Sequence, residues 1–425
     1  MIEENTSKFR AFLQEVTLLL LSTLTVMIGT PLSPGLLKIS DHFSGTVVNV
    51  EFLTKFALTI PALTFAFSAL IIGFLIDKWG RKPVLLCSII LYIVSGSMGF
   101  YVDNLYAIIV SRAFLGIAAA GNMNAILTLI GDYYEGERRD RVLGFQVATG
   151  ALGSVVLALI GGALFDIKWN YPFIVYLLPI LLIPTTIFVL KEPKNLSKDK
   201  TIINETKNIM NENTEQENTC NVEGLSPKWI ITICYGLIFA LMFIFYLGSS
   251  QISYYIDELA LGFSSFQIGI IMAVVMIAAA LIGAFYKQFK KIMNFHVISI
   301  LGFGFLGSGF IILSIAKSFS IFVLAAIVGG VGFGFLLPNF SLYLVSNTTP
   351  KNRGKVVSGY NTMWYIGESL SPIIFQFVII ATSYSFVYLL GGIIFFVLLV
   401  IPVTLLILFY TKRKQSIEPC EQVEQ

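Results

Sequence analysis

The chain has 425 residues, of which 56% are hydrophobic and only 12% charged, about half the charge of an average soluble domain. Its 28 Lys and Arg against 25 Asp and Glu leave a formal charge of +3, which is no footprint for nucleic acid. A soluble enzyme, a disordered chain and a secreted disulfide scaffold are thereby excluded, leaving an all-α integral membrane protein. The cysteines Cys87, Cys220, Cys234 and Cys420 lack the paired spacing of a metal site and are read as free thiols. The two histidines, His42 and His296, argue against a His-based centre. No metal or cofactor is expected.

In chain order, twelve apolar segments approach the about 20 residues that a spanning helix needs. They lie near 12–36, 50–76, 83–102, 105–131, 141–164, 171–190, 228–256, 263–286, 294–314, 319–346, 355–381 and 385–410. Inside lipid each must satisfy its own backbone hydrogen bonds, so each must be a helix. The first follows Lys8 and Arg10, and no small-residue cleavage site follows it, which reads as a retained span and not a secretory signal. Between the sixth and seventh spans, Lys191 to Ser226 is rich in Asn, Glu and Lys and reads as a flexible linker. The expected organisation is a six-helix half over 1–190, a linker over 191–226, and a second six-helix half with its tail over 227–425.

Basic residues set the expected orientation, since they gather on the cytoplasmic side. With the N-terminus inside, only Lys38, Lys55, Lys168 and Lys317 fall outside, Arg112 lies within a span, and every other Lys and Arg is cytoplasmic. Both termini are therefore expected inside a multi-pass cell-membrane protein. The sequons at Asn195 and Asn204 then lie on the cytoplasmic side and should stay unmodified. Lys55, Glu51, Asp257 and Glu258 sit near outer span ends, where they are expected to snorkel or face water.

The two halves echo each other. One offset of 215 residues pairs Arg138 with Arg353, Gly144 with Gly359, Gln146 with Asn361 and Asn124 with Asn339. Parallel repeats of this kind are a mark of transporters, whose substrate site lies near the midplane between them.

Between the second and third spans the chain reads Gly73-Phe-Leu75-Ile-Asp77-Lys78-Trp-Gly80-Arg81-Lys82. This resembles the signature loop of the major facilitator superfamily at every defining position, and the twelve spans and central linker extend the likeness along the chain. The resemblance implies the twelve-helix major facilitator fold, most like the drug:proton antiporter branch. It implies that Gly73 lets helices two and eleven approach and that Asp77 lies against the N-terminus of helix eleven, attracted by its dipole. Gly80 permits the turn, and Arg81 and Lys82 anchor the loop to the anionic leaflet. With Arg81, Asp132 and Arg138, Asp77 would latch the cytoplasmic side; the plainer alternative is that these residues only fix loop topology.

Helix four carries Arg112-Ala-Phe-Leu-Gly116, similar to the family's second motif, with Leu115 where Gln often stands. A guanidinium at that depth costs at least about 2.5 kcal/mol, so Arg112 either serves coupling or substrate contact or is bonded structurally to carbonyls. Helix five reads Gly153-Ser-Val-Val-Leu157-Ala158-Leu-Ile-Gly161-Gly162. It keeps the closing glycine pair of the antiporter motif but not its Gly-Pro, and helix one has Glu15 only at its cytoplasmic end. In helix eleven, Asn361, Trp364, Tyr365 and Glu368 share one face at i, i+3, i+4 and i+7. A carboxylate near the midplane is costly to ionise and so suits a proton carrier, unless it stays protonated and inert.

These residues lead to an expectation of a monomeric, proton-coupled exporter of amphipathic small molecules. Glu368 and Arg112 would couple protons, and Asn122, Gln146, Asn361, Trp364 and Tyr365 would line the cavity. A proton symporter for a metabolite, a lipid flippase and a non-transporting sensor are the alternatives. No enzymatic motif of the hydrolase, zinc-peptidase or P-loop type is present.

Overall fold

A computed structural model describes residues 2–192, 227–348 and 353–421; the expected linker lies outside the described residues. The spans are α1 (Ile2–Val26), α2 (Val50–Trp79), α3 (Arg81–Tyr101), α4 (Leu105–Tyr133) and α5 (Gly136–Ile167), then a 3-10 helix (Tyr171–Leu182) running into α6 (Ile183–Phe188). The second set is α7 (Pro227–Glu258), α8 (Ser265–Ala284), α9 (Phe295–Ser314), α10 (Phe319–Ser346), α11 (Arg353–Ala381) and α12 (Tyr384–Glu421). Eleven of these segments are long and apolar enough to cross a membrane, and α1 adds a shorter apolar stretch, Ala11–Val26. Among the described residues there is no strand. The protein is an all-α, twelve-helix membrane protein.

Local chemistry sets several boundaries. Asn104 Oδ1 accepts the N–H groups of Tyr106 and Ala107 at 2.9 and 3.2 Å and so starts α4. Asn294 does the same for α9 through Val297 N–H at 3.0 Å. Ser264 and Gln267 form a reciprocal capping box at the start of α8. Proline explains two departures from the expected spans. The first span stops at Val26 instead of continuing to 36; past Pro31 the chain makes a 3-10 turn (Ser33–Gly35) and a short helix (Leu36–Phe43). In the sixth span, Pro172, Pro179 and Pro184 remove three backbone donors, and the segment winds largely as a 3-10 helix.

Packing repeats across the chain. In the first set α1 lies on α5, α2 on α4, α3 on α4, and α3 on the 3-10 segment. Each contact has its counterpart six spans on: α7 on α11, α8 on α10, α9 on α10 and α9 on α12. The sets meet mainly along two helix pairs, α2 with α11 and α5 with α8, which exchange when the sets are exchanged. Large apolar side chains such as Phe67, Phe74, Phe188, Phe377 and Ile380 are exposed on the rim. In water such a rim would aggregate; in a bilayer it is the solvent-facing surface.

The end of the bundle carrying both termini is called here the terminal face, and the opposite end the distal face. At the terminal face Gly80 ends α2 with φ of +96°, a conformation that side chains rarely adopt. A Cβ there would also lie 2.7 Å from Glu192 Oε1, whereas one on Gly73 would meet no atom within 4 Å. Gly80→Ala should therefore cost about 1–3 kcal/mol of stability, while Gly73→Ala, inside a helix, should be neutral or gain up to about 1 kcal/mol. Thermal unfolding of the detergent-purified variants checks the contrast, and equal melting of the two would refute it.

Candidate functional site between the two halves

Arg112 is fully buried and is the largest side chain so enclosed. Because α1 stops at Val26, the carbonyl of Ile28 is released from any helical ladder and accepts from Arg112 Nη2 and, at 2.8 Å, from the Tyr176 hydroxyl. Arg112 Nε donates to the Ala57 carbonyl on α2 at 3.3 Å, and the guanidinium lies 5.1 Å from the Tyr176 ring centroid. Two backbone carbonyls and an aromatic face thus hold the cation. Its Nη1 has no hydrogen-bond partner among the described residues. The bonded, structural reading of Arg112 and the availability of one further donor hold together.

From the other half, α11 brings Glu368. Its carboxylate lies near Trp364, one turn earlier, and near the Tyr246 hydroxyl on α7. Tyr246 is the residue that the sequence did not single out. A Cβ on Gly29 would lie 3.0 Å from its hydroxyl oxygen, so that hydroxyl stands beside the residue next to Ile28, whose carbonyl Arg112 binds. A phenol of the second half therefore reaches the backbone beside the carbonyl that Arg112 binds in the first. Only its place in an apolar span at mid-depth could have flagged it.

The other residues expected to line the cavity scatter. Trp364, Tyr365 and Asn361 are partly exposed along α11, and the Tyr365 ring packs on Phe65 of α2 with centroids 4.1 Å apart, across the halves. Asn122 is buried on α4, with neither amide atom bonded among the described residues. Gln146 Nε2 reaches only the Met123 sulfur at 3.8 Å. Asn124 and Asn339, paired by the repeat, both tie helices together: Asn124 donates to Ala69 O, and Asn339 to Phe295 O and the Ser299 hydroxyl.

At the terminal face, Arg81 Nε lies 3.0 Å from Asp132 Oδ2. Glu192, which the sequence left in the linker, accepts the backbone N–H groups of Arg81 and Lys82 at 2.8 and 2.7 Å and caps α3. Lys82 Nζ donates to Ile187 O at 2.6 Å. Arg138 stands apart from that cluster, 3.9 Å from Glu15 on α1. Asp77 is exposed and has no ion pair among the described residues. The chain just before α11, its expected neighbourhood, includes residues 349–352, which lie outside the described residues. The expected close approach at Gly73 is absent, as no described atom comes within 4 Å of a Cβ there. Among the described residues, α2 and α11 are not drawn together at that glycine.

The halves are joined at the distal face instead. Lys55, expected to snorkel or face water, is buried: its side chain is 1% exposed. Its Nζ donates to Gln376 Oε1 at 2.7 Å and to the Tyr384 hydroxyl at 3.0 Å, with the Tyr254 ring centroid at 4.1 Å. Glu51, one turn before it, accepts from Tyr384 at 2.9 Å and Gln376 at 3.1 Å. The correction has a simple cause: the partners come from α7, α11 and α12 of the other half and were invisible along the chain. Ser253 on α7 donates to the carbonyls of Ser33 and Pro34 at 3.1 Å. Against these bonds, burial and then the Asp257 charge push the Asp41 carboxyl up, a like-charge repulsion across the same interface. Lys55→Met leaves Gln376 and Tyr384 without their cation and should cost about 1.5–3 kcal/mol. Chemical or thermal unfolding in micelles measures this, and unchanged stability would show that the cluster contributes nothing net.

The sequence profile of the Major Facilitator Superfamily matches residues 17–300 and 238–422. The chain is 24% identical over 337 residues to the bacillibactin exporter of Bacillus subtilis (strain 168), covering 76% of this chain and 80% of that one. It is 30% identical over 165 residues to the quinolone resistance protein NorB of Staphylococcus aureus (strain bovine RF122 / ET3-1), covering 38% of this chain and 34% of that one. Among solved structures, a mutant form of the nucleoside transporter NupG superposes with a TM-score of 0.70 at 15% identity over 92% of this chain and 99% of its own. The D-xylose-proton symporter gives 0.65 at 14% identity over 89% and 97%. Twelve apolar helices in two like-packed sets, the signature loop after α2 and a profile match along nearly the whole chain place the protein in the Major Facilitator Superfamily of transporters.

Proposed function

We propose that the protein is a proton-coupled exporter of amphipathic small molecules, working by alternating access in the cell membrane with both termini in the cytoplasm. The observation that carries this reading is a buried Arg112 in one half and a deep Glu368 in the other, with the Tyr246 hydroxyl beside Gly29, next to the carbonyl that Arg112 binds. Intramembrane charges are costly and in general mark an ion or substrate path. Placing the basic terminal face in the cytoplasm makes this conformation closed to the outside, with Lys55 and its partners on the closed side.

Glu368 is the proton carrier in this scheme. Ionised, it is held by Tyr246 and Trp364 and attracts the Arg112 half; protonated, it loses that attraction, and the two halves are free to move apart. Substrate enters from the cytoplasm among Asn361, Trp364, Tyr365, Gln146 and Asn122, and the ionised state favours its occupancy. The Arg81–Asp132 pair, with Gly73, Asp77, Gly80, Lys82 and Arg138 around it, forms the cytoplasmic gate. A potential of about 100 mV is worth about 2.3 kcal/mol per charge, or roughly a fifty-fold substrate gradient, so one proton per cycle suffices. The similarity to two export or resistance proteins supports outward transport.

The test is transport in proteoliposomes of known orientation, with substrates first found by a growth-inhibition panel in a pump-deficient host. Collapsing the proton gradient should abolish concentrative efflux, and Glu368→Gln should reduce it at least about tenfold by removing the titratable group. Arg112→Gln should be comparably impaired, whereas Arg112→Lys should recover only part of the activity, since an ammonium cannot reproduce the forked contacts to two carbonyls. Full efflux by Glu368→Gln would sink the proposed role of that carboxylate. Uptake instead of efflux would favour symport, and movement of labelled lipid would favour a flippase.

A further inference from the structure

The distal face holds a carboxylate that the proposed mechanism does not use. Asp166, at the distal end of α5, accepts the backbone N–H groups of Ser265 at 2.9 Å and Phe266 at 3.0 Å, the first two residues of α8 in the other half. Its Oδ1 also lies 2.8 Å from Lys38 Nζ, which in turn donates to Phe165 O at 3.0 Å. The first turn of a helix has donors with no partner of their own and a positive dipole end. Here Ser264, the residue just before α8, accepts the Gln267 N–H at 3.2 Å, and Asp166 satisfies Ser265 and Phe266 from across the interface. The glycines explain how the helices come so close. A Cβ on Gly162 would lie 2.5 Å from Ser265 O, and one on Gly269 would lie 2.6 Å from Ala158 O. The closing glycine Gly162 of the helix-five motif is thus the seat on which this contact rests.

We infer that Asp166 is a positioning residue of the transport cycle: it latches the distal face by capping α8 from the opposite half, and it must release those two N–H groups each time that face opens. The acceptor belongs to one half and the donors to the other, so no relative opening of α5 and α8 at this end can keep both bonds. Lys38 belongs to the same half as Asp166 and stays with it, holding the carboxylate in place for re-engagement. Asp77, exposed and without an ion pair among the described residues at the opposite end of the molecule, is the terminal-face carboxylate of the other cross-half pair, α2 with α11. The latch rests on the alternating-access reading but on neither the cargo nor the coupling ion.

The experiment uses the full chain in lipid nanodiscs without substrate or gradient. Its four cysteines are replaced by serine, and spin labels are attached at Ser44→Cys and Ser318→Cys, exposed distal positions on the two halves. Pulsed electron–electron double resonance reads the ratio of long to short distances. In the parent, short distances should dominate. Asp166→Asn should raise the long-to-short ratio about two- to thirtyfold, the range expected for losing a carboxylate at a helix N-terminus. Lys38→Gln should give a smaller shift in the same direction, and it stands as the test if Asp166→Asn fails to fold. An unchanged ratio in the folded variants, even with a lowered melting temperature, would reduce Asp166 to a structural role and overturn the inference. A shifted ratio in a protein that moves no protons would leave the latch intact and count only against the proposed coupling.

Discussion

Arg112 is the charge around which the amino-terminal half is arranged. A guanidinium enclosed by helices cannot be left without acceptors, because the cost of burying it bare exceeds anything packing could return. The half supplies those acceptors by breaking its own regularity. The first span ends early, past which the chain carries Pro31 and Pro34, and the freed Ile28 carbonyl serves both Arg112 and Tyr176. The sixth span, wound as a 3-10 helix by its prolines, presents Tyr176 to the same point. These departures from ideal helix geometry serve one buried cation.

The carboxyl-terminal half answers with Glu368 and with Tyr246, whose hydroxyl reaches the backbone beside the Ile28 carbonyl that Arg112 binds. Around this centre the contacts are unequal. At the distal face the halves are joined through Lys55, Ser253 and Asp166, each bonded across the interface. At the terminal face the ion pairs among the described residues are internal to the amino-terminal half: Arg81 with Asp132 and Arg138 with Glu15. Polar bonds within a half hold it together, whereas in the proposed rocking motion the bonds between halves must be exchanged. In that proposal the distribution of the two kinds separates the joint from the bodies that move.

The site was legible where a rare residue type stood in an unfavourable place. Arg112 and Glu368 are charges in apolar spans, and cost alone draws attention to them. Lys55, Asp166 and Glu192 were not legible for the opposite reason. Polar residues at span ends are common and are ordinarily solvated, so nothing along the chain distinguishes those that meet the other half. Tyr246 was hidden among eighteen tyrosines, several of which bond only to backbone carbonyls within their own half. Gly73 marks the limit of motif reading: the residue matches the family's signature, yet in this conformation no described atom occupies the space beside it.

The sequence by itself determined the solvent, the helical class, the number of spans and the family, because hydropathy and a ten-residue loop are local properties that no packing can alter. Only the tertiary structure decided which face carries the polar bonds between the halves, which carboxylates are engaged, and that Tyr246 of one half reaches the backbone beside the Arg112 acceptor of the other. Those depend on donors and acceptors lying in different halves, far apart in the chain: 321 residues between Lys55 and Gln376, and 99 and 100 between Asp166 and its two partners on α8. The low charge content that marks the chain as a membrane protein is also what makes each such pairing decisive. Where water is excluded from the spans, a polar group gains most from a partner within the protein.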